Sequence, residues 1–162
     1  MMPDRTSPCG PRRCRAGLTL FELVVVLSIM TILASIAAPR YASAIARYRL
    51  DTAARRVVAD IEQTRALARA TGATQTIRFS PSTHSYLIDR LTVGSSRSQV
   101  YTVKLAEPPY SVTLQSASFA GSQELRFGGF GFPADGGTVV VRSGTSSITI
   151  NVDASTGAAS FP

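Results

Sequence analysis

Glu22 is the residue whose chemistry is hardest to explain as ordinary core or surface. It is the one charged residue in the apolar stretch from Leu18 to Ala38. As an α-helix, this stretch is long enough to cross ~30 Å of hydrocarbon. An ionised carboxylate in a lipid-facing helix costs about 2.5 kcal/mol or more. We therefore expect Glu22 to act in function and to have a positively charged partner.

The cysteines and the histidine do not form a pattern typical of catalysis or metal binding. Cys9 and Cys14 both lie in the N-terminal segment, and His84, the single histidine, is far from them in sequence. This spacing argues against a zinc site and against a Cys–His pair. Ser82 and Ser85 flank His84 without an acidic residue to orient it. We expect His84 to be an exposed turn residue, and we predict no catalytic residue and no metal site.

Two glycine-rich stretches superficially resemble ligand-binding loops. The segment 129–134 fits the dinucleotide pattern Gly-x-Gly-x-x-Ala. However, Pro133 and the absence of a following helical pattern favour a β-turn. Asp135 and Asp153 lack the several-oxygen spacing of a calcium loop and are interpreted as turn-forming residues. The sequence therefore predicts a protein that is not an enzyme and has no cofactor.

A large share of the net charge of +7 lies at the N-terminus. The first 17 residues hold four arginines and one aspartate, a net +3, and the other 13 basic and 9 acidic residues are dispersed. This dispersal argues against a nucleic-acid-binding patch. The N-terminal arginines predict a cytoplasmic N-terminus, with the remainder outside the membrane. About 120 residues then remain for one compact domain, which lacks cysteine and so folds without a disulfide.

The segment after Pro39 predicts an amphipathic helix, because its apolar residues recur every three or four positions. One helix is expected from Leu18 to Ala70, with a bend at Pro39 and a stop at Gly72. The predicted core stripe is Tyr41, Ile45, Tyr48, Val57, Val58, Ile61 and Leu67. The charged residues predicted to be solvated or at a subunit contact are Arg47, Arg49, Asp51, Arg55, Arg56, Asp60, Glu62, Arg65 and Arg69. Asp51 with Arg55, and Glu62 with Arg65, have the spacing of helical ion pairs.

Beyond Gly72 the sequence period changes to two, which predicts short strands between turns. The predicted strands are Thr74–Ser80, Ser85–Ile88, Val100–Leu105, Val112–Leu114, Glu124–Phe127, Thr138–Arg142, Ser147–Val152 and Ala158–Phe161. The segment Leu91–Gln99 is expected to be a mobile loop. The predicted fold class is therefore α+β: a long N-terminal helix, half membrane-spanning and half amphipathic, packed on a largely antiparallel β-sheet head.

The segment Arg15–Leu23 resembles the prepilin leader of the type IV pilin superfamily. The resemblance implies cleavage by a prepilin peptidase between Gly17 and Leu18, followed by N-methylation of Leu18. Glu22 then becomes the fifth residue of the mature chain. Pro39 matches the proline that commonly kinks the long N-terminal helix of the family. The superfamily's fold agrees with the fold class predicted above.

The resemblance also supplies a partner for Glu22. Cleavage creates an α-amine at Leu18, and the carboxylate of Glu22 can neutralise that amine on an adjoining subunit. The segment departs from the family pattern at two positions. Leu18 replaces the usual Phe or Met, and Phe21 replaces the commoner Ile or Val. Both residues are bulky and apolar. The implied division of the chain is residues 1–17 as leader, 18–39 as membrane and assembly helix, 40–71 as amphipathic helix and 72–162 as periplasmic head.

The C-terminal part is similar to the head of H-type minor pseudopilins of type II secretion. The similar segments are Leu125–Phe127, Gly131–Pro133, Gly136–Thr138, Ser147–Val152 and Thr156–Gly157. The resemblance implies a non-catalytic subunit of a periplasmic pseudopilus, held as a single-pass protein in the bacterial inner membrane. Its implied partners are other pseudopilins, contacted through the N-terminal helices, together with the prepilin peptidase, the inner-membrane assembly platform and secreted cargo.

Three alternatives remain open at the level of sequence. The first is a minor pilin of a type IV pilus or DNA-uptake system, which salt-dependent affinity for DNA would identify. The segment Gly157-Ala158-Ala159 lacks the basic Gly-Arg motif of DNA-uptake relatives. The second is ordinary signal peptidase cleavage after the apolar run, or an uncleaved anchor. The third is a signal-anchored periplasmic enzyme, which a mature chain starting at Ala37 or Pro39 would favour.

Overall fold

The computed structural model describes residues 19–91 and 98–162. The chain divides into two compact units, of which the first is described from Thr19 to Arg40 and the second runs from Tyr41 to Pro162. The predicted cleavage residues Gly17 and Leu18 lie outside the described residues. So do residues 92–97 of the predicted mobile loop, whereas its ends belong to strands.

A single helix, α1, extends from Leu20 to Thr71 and contains Pro39. It includes one stretch long and apolar enough to cross a membrane, judged by length and composition. Every described side chain from Thr19 to Arg40 is exposed. The helix ends at the predicted glycine, because Gly72 adopts the left-handed φ of +64° that favours glycine at a helix C-terminus. The bend at Pro39 stays a prediction.

The buried face of α1 in the second unit is built largely from small residues. The buried helix residues are Leu50, Ala53, Ala54, Val57, Asp60, Ile61, Thr64 and Ala68. The predicted core stripe is therefore correct at Val57 and Ile61 and wrong at Tyr41 and Tyr48, which are 72% and 74% exposed. The alanines were missed because they carry a weak apolar signal. They bury well here because a side chain of one carbon lets the helix backbone approach the sheets closely.

The described residues form eight strands in two antiparallel sheets of four. Their bounds are β1 (Gln75–Ser80), β2 (Ser85–Leu91), β3 (Ser98–Lys104), β4 (Thr113–Phe119), β5 (Glu124–Phe127), β6 (Gly137–Ser143), β7 (Ser146–Val152) and β8 (Ala159–Ser160). The first sheet has the order β3-β2-β1-β5 and the second β4-β6-β7-β8. The predicted α+β class is thus confirmed. Strand β4 is longer than predicted because pairing with β6 holds its small polar residues in the sheet.

Aromatic side chains join the two sheets. The Phe79 ring on β1 lies 5.7 Å from Tyr86 on β2 and 5.6 Å from Phe119 on β4, measured between centroids. All three residues are buried. His84, expected in an exposed turn, is instead half-buried, with Nδ1 3.2 Å from the carbonyl oxygen of Leu114. The prediction that His84 is exposed was wrong, because the β1–β2 turn packs on β4 of the other sheet.

Candidate assembly site

Thr19 caps the N-terminus of α1. Its hydroxyl oxygen accepts a hydrogen bond from the backbone N–H of Glu22 at 3.2 Å, and its carbonyl oxygen accepts one from the N–H of Leu23 at 3.1 Å. Thr-x-x-Glu is the capping-box pattern, in which the N-cap hydroxyl satisfies an otherwise unpaired donor of the first turn. This role of Thr19 was not predicted, although its spacing to Glu22 indicates it.

The cap places Glu22 in the first turn of α1, with an exposed side chain. A carboxylate near the positive end of a helix dipole gains roughly 0.3–1 kcal/mol. That gain is smaller than the cost of about 2.5 kcal/mol or more for an ionised carboxylate in lipid. The helix dipole alone would therefore not offset the cost of a position in lipid, and the cationic partner of Glu22 stays a prediction.

Other polar side chains in the apolar segment are satisfied inside the helix. The hydroxyl of Ser28 donates to the carbonyl oxygen of Val24 at 2.8 Å, and that of Ser35 donates to Ile32 at 2.7 Å. Thr31 donates in the same way to Leu27. Such back-bonding lets a hydroxyl enter hydrocarbon without an outside partner. A carboxylate cannot do this, since it has no proton to donate when ionised.

A buried carboxylate links α1 to the first sheet. Asp60 is 2% exposed, and its Oδ2 accepts hydrogen bonds from the Tyr86 hydroxyl at 2.6 Å and from Arg56 Nε at 3.2 Å. Arg56 also donates to the Tyr101 hydroxyl at 2.8 Å. Asp60 was predicted among the charged residues that are solvated or at a subunit contact; that prediction is wrong for Asp60, which is buried within the head. Burial is tolerated because Arg56, one helical turn away, compensates the charge and Tyr86 supplies a second donor.

Tyr86 should make the stability of the protein sensitive to alkaline pH. Burial, followed by the hydrogen bond to Asp60, raises the pKa of Tyr86 far above its ordinary value. Above pH ~10 the phenol ionises in the unfolded chain but stays protonated in the folded one. Stability is therefore fully present below pH ~10 and falls as the pH rises beyond it, by roughly 1.4 kcal/mol per pH unit.

We expect Tyr86→Phe to remove this alkaline dependence. At pH 7 the variant should be less stable by roughly 1.5–3 kcal/mol, because it loses a hydrogen bond to a charged acceptor. Above pH ~10 the difference from the wild type should narrow by roughly 1.4 kcal/mol per unit. Urea unfolding of the detergent-solubilised full chain between pH 7 and 11 measures both effects. A difference that stays constant with pH would contradict the prediction.

The C-terminal strand is also attached to α1. Glu62 Oε1 accepts a hydrogen bond from the backbone N–H of Ala159 at 3.0 Å, while Oε2 lies 3.1 Å from Arg65 Nη1. The predicted ion pair of Glu62 with Arg65 is confirmed, as is that of Asp51 with Arg55 at 2.8 Å. The backbone N–H of Ala159 thus anchors β8 to the helix.

The glycine-rich segment and Asp153 form turns, as predicted. In the first, Gly131 N–H donates to the Gly128 carbonyl at 2.7 Å, and Gly128 N–H donates to the Phe132 carbonyl at 2.9 Å. In the second, Asp153 Oδ1 accepts the backbone N–H groups of Ser155 and Thr156 at 2.9 and 2.7 Å. Hydrogen bonds from these two residues lower the pKa of Asp153. Both segments are therefore hydrogen-bonded turns, as the sequence predicts.

Comparisons with known proteins find two family matches, one at the N-terminal helix and one that covers most of the head. The family described as type II transport protein GspH matches residues 53–157, and the prokaryotic N-terminal methylation motif matches residues 12–38. Among curated proteins, none matches this chain.

Solved structures similar to this chain include two crystal forms of the type IV minor pilin FimU of Pseudomonas aeruginosa. One has 14% identity and a TM-score of 0.56, covering 72% of this chain and 90% of FimU. The other has 14% identity and a TM-score of 0.52, covering 70% and 92% respectively. At this identity the likeness concerns the fold, which is that of a type IV pilin.

The two family matches together cover most of the helix, with residues 39–52 between them unmatched, and nearly all of the head. The methylation motif includes the segment that carries Glu22, and the GspH match begins on the buried face of α1 and ends at Gly157, beside β8. The chain therefore belongs to the GspH family of type II transport proteins, the minor pseudopilins of the type IV pilin superfamily.

Proposed function

We infer that this minor pseudopilin is a non-catalytic subunit that acts by assembly into a periplasmic fibre of type II secretion. Before assembly, the apolar part of α1 is stored in the inner membrane, with the N-terminus in the cytoplasm and the head in the periplasm. The observation that carries the proposal is Glu22, an exposed carboxylate in the first turn of an apolar helix within a methylation motif.

The proposed mechanism begins with removal of residues 1–17. Cleavage between Gly17 and Leu18 exposes an α-amine, which is then methylated. When apolar helices pack side by side in the fibre, the Glu22 carboxylate neutralises the amine of an adjoining subunit. Such a buried pair adds little net stability, but it fixes the axial register because either charge alone is costly.

The proposed partners follow from these steps. The N-terminal helix contacts other pseudopilin subunits in the fibre, and before that the prepilin peptidase and the inner-membrane assembly platform. The head contacts neighbouring heads or secreted cargo. Pro39, inside α1, is proposed to bend the helix where it leaves the membrane, because proline removes a backbone hydrogen bond and crowds the preceding turn.

The proposal predicts a mature chain that begins at Leu18. We expect intact mass measurement of the membrane-extracted protein to show loss of residues 1–17 and addition of one methyl group, only in cells that contain the prepilin peptidase. Cells without the peptidase provide the control and should contain the full-length chain. A mature chain beginning at Ala37 or Pro39 would instead indicate ordinary signal peptidase cleavage and overturn the proposal.

A further inference from the structure

The turn from Gly128 to Phe132 presents two aromatic side chains to solvent. Phe130 is 85% exposed and Phe132 is 58% exposed, although the head has a well-formed core elsewhere. Each exposed phenylalanine gives up the stabilisation that burial of its ring would provide. Two such residues in one turn therefore indicate a surface that becomes covered in the working protein.

The turn backbone is held from the helix side. Arg69 Nε donates to the carbonyl oxygen of Phe130 at 3.3 Å, and Arg65 Nε donates to that of Gly131 at 3.4 Å. Gly131 has a φ of +75°, and a Cβ on it would lie 2.3 Å from Arg69 Nε. Positive φ and close approach both require glycine here. The exposure of Phe130 and Phe132 thus belongs to a fixed backbone and not to a frayed loop.

The surface beside the two rings is cationic. Arg65 forms an ion pair with Glu62, whereas Arg69 forms no ion pair within residues 19–91 and 98–162. Arg69 is an exposed residue, so a carboxylate from another molecule can reach its side chain. Aromatic residues and arginine are also the types most enriched in interface hot spots. The complementary surface is therefore an apolar groove with an aspartate or glutamate at its edge.

We propose that the Gly128–Phe132 turn docks into an acid-bordered apolar groove on the head of a different pseudopilin in the same fibre. This inference rests on the proposed function, since it takes the fibre as the place where the turn is covered. In the docked state, Phe130 and Phe132 fill the groove and Arg69 pairs with the acid at its edge. The charge pair determines which subunit is accepted, because a groove with a basic edge would repel Arg69.

Photo-crosslinking tests the docking in the full-length protein. A benzophenone amino acid replaces Phe130 in cells that make the complete set of pilin-like subunits. The matched control carries the same group at Thr149, an exposed residue of β7. We expect a crosslink from position 130 to one other pseudopilin, at least fivefold weaker with Arg69→Glu and absent from position 149. A crosslink to a second copy of this chain, to lipid, or to nothing would overturn the proposal.

A charge reversal then tests the role of Arg69. The acidic residue of the partner nearest the crosslinked peptide, identified by mass spectrometry, is changed to arginine. We expect this change to restore the crosslink in the Arg69→Glu background and to weaken it with wild-type Arg69. The four combinations pair arginine or glutamate at position 69 with the acidic residue or arginine on the partner. If the crosslink is equally strong in all four, Arg69 does not pair with the partner and the proposal fails.

A double variant separates this inference from the proposed function. Phe130→Ser with Phe132→Ser is expected to reduce co-purification with the partner at least tenfold, with no loss in the urea midpoint of unfolding. Val100→Ser, at an exposed apolar residue of β3, should change neither quantity. If the wild type is absent from the fibre, the proposed function fails. If wild type and double variant are recovered equally, only the docking inference fails.

Discussion

Replacing Glu22 with alanine is expected to reduce incorporation of the protein into the fibre by about a hundredfold or more. Removal of one partner of a buried charge pair costs roughly 3–5 kcal/mol, since the other charge is left uncompensated. Each 1.4 kcal/mol corresponds to about a tenfold change in an equilibrium constant. Membrane insertion and leader cleavage should be unaffected, because the apolar segment and the Gly17–Leu18 bond remain. The fraction of protein recovered with other pseudopilins measures the effect.

Two further variants show whether the charge is responsible. Glu22→Gln keeps the shape of the side chain and should lose incorporation like the alanine variant. Ser28→Ala changes a hydroxyl on the same helix that already donates to the Val24 carbonyl, and it should assemble normally. Wild-type recovery of Glu22→Ala with its partners would refute the charge pair, whereas loss of cleavage would point to recognition by the peptidase.

Replacing Asp60 with alanine is expected to destabilise the head by roughly 2–4 kcal/mol. The buried Tyr86 hydroxyl would lose its acceptor, and Arg56 would lose its counter-charge. The upper end of the range for buried pairs is not reached, because the Arg56 side chain is partly exposed and water screens it. Asp60→Asn retains an acceptor for Tyr86 and should lose less stability. Urea unfolding of the detergent-solubilised full chain provides the measurement.

Asp51→Ala is the matched control for Asp60. Asp51 forms an ion pair with Arg55 at the same spacing on the same helix, but that pair is exposed. Exposed helical pairs contribute about 0.3–0.5 kcal/mol. The expected loss is therefore several times smaller than for Asp60→Ala. Equal losses at the two positions would mean that burial of the Asp60 carboxylate has no energetic consequence.

The sequence predicts the elements of this fold because their hydrophobic periods differ. A period of three to four gives α1 as far as Gly72, and a period of two gives the strands after it. The polar contacts were harder to foresee. Asp60 meets Tyr86 across 26 positions, and nothing local in the sequence distinguishes its carboxylate from the exposed one of Asp51. Pairing between distant elements decides which of the two is buried.

Among the functional residues, too, some can be predicted from sequence and others cannot. Glu22 is evident from sequence, because a carboxylate in an apolar run is energetically anomalous. The exposed surface of the Gly128–Phe132 turn is not evident from sequence, because phenylalanines such as Phe130 and Phe132 are usually core residues. Their exposure depends on how Arg65 and Arg69 hold the turn backbone, which is a property of the folded head.

The Asp60–Tyr86 contact has a mechanical consequence under the proposed function, in which the helix draws the subunit out of the membrane. Ala53, Ala54 and Ala68 lie on the buried face of α1 beside larger apolar residues. A slip of one helical turn, about 5.4 Å, would break the 2.6 Å hydrogen bond between Tyr86 and Asp60. In the proposed assembly, traction on the helix is therefore resisted by this hydrogen bond together with the bond between Glu62 and the Ala159 backbone and the buried apolar side chains of α1.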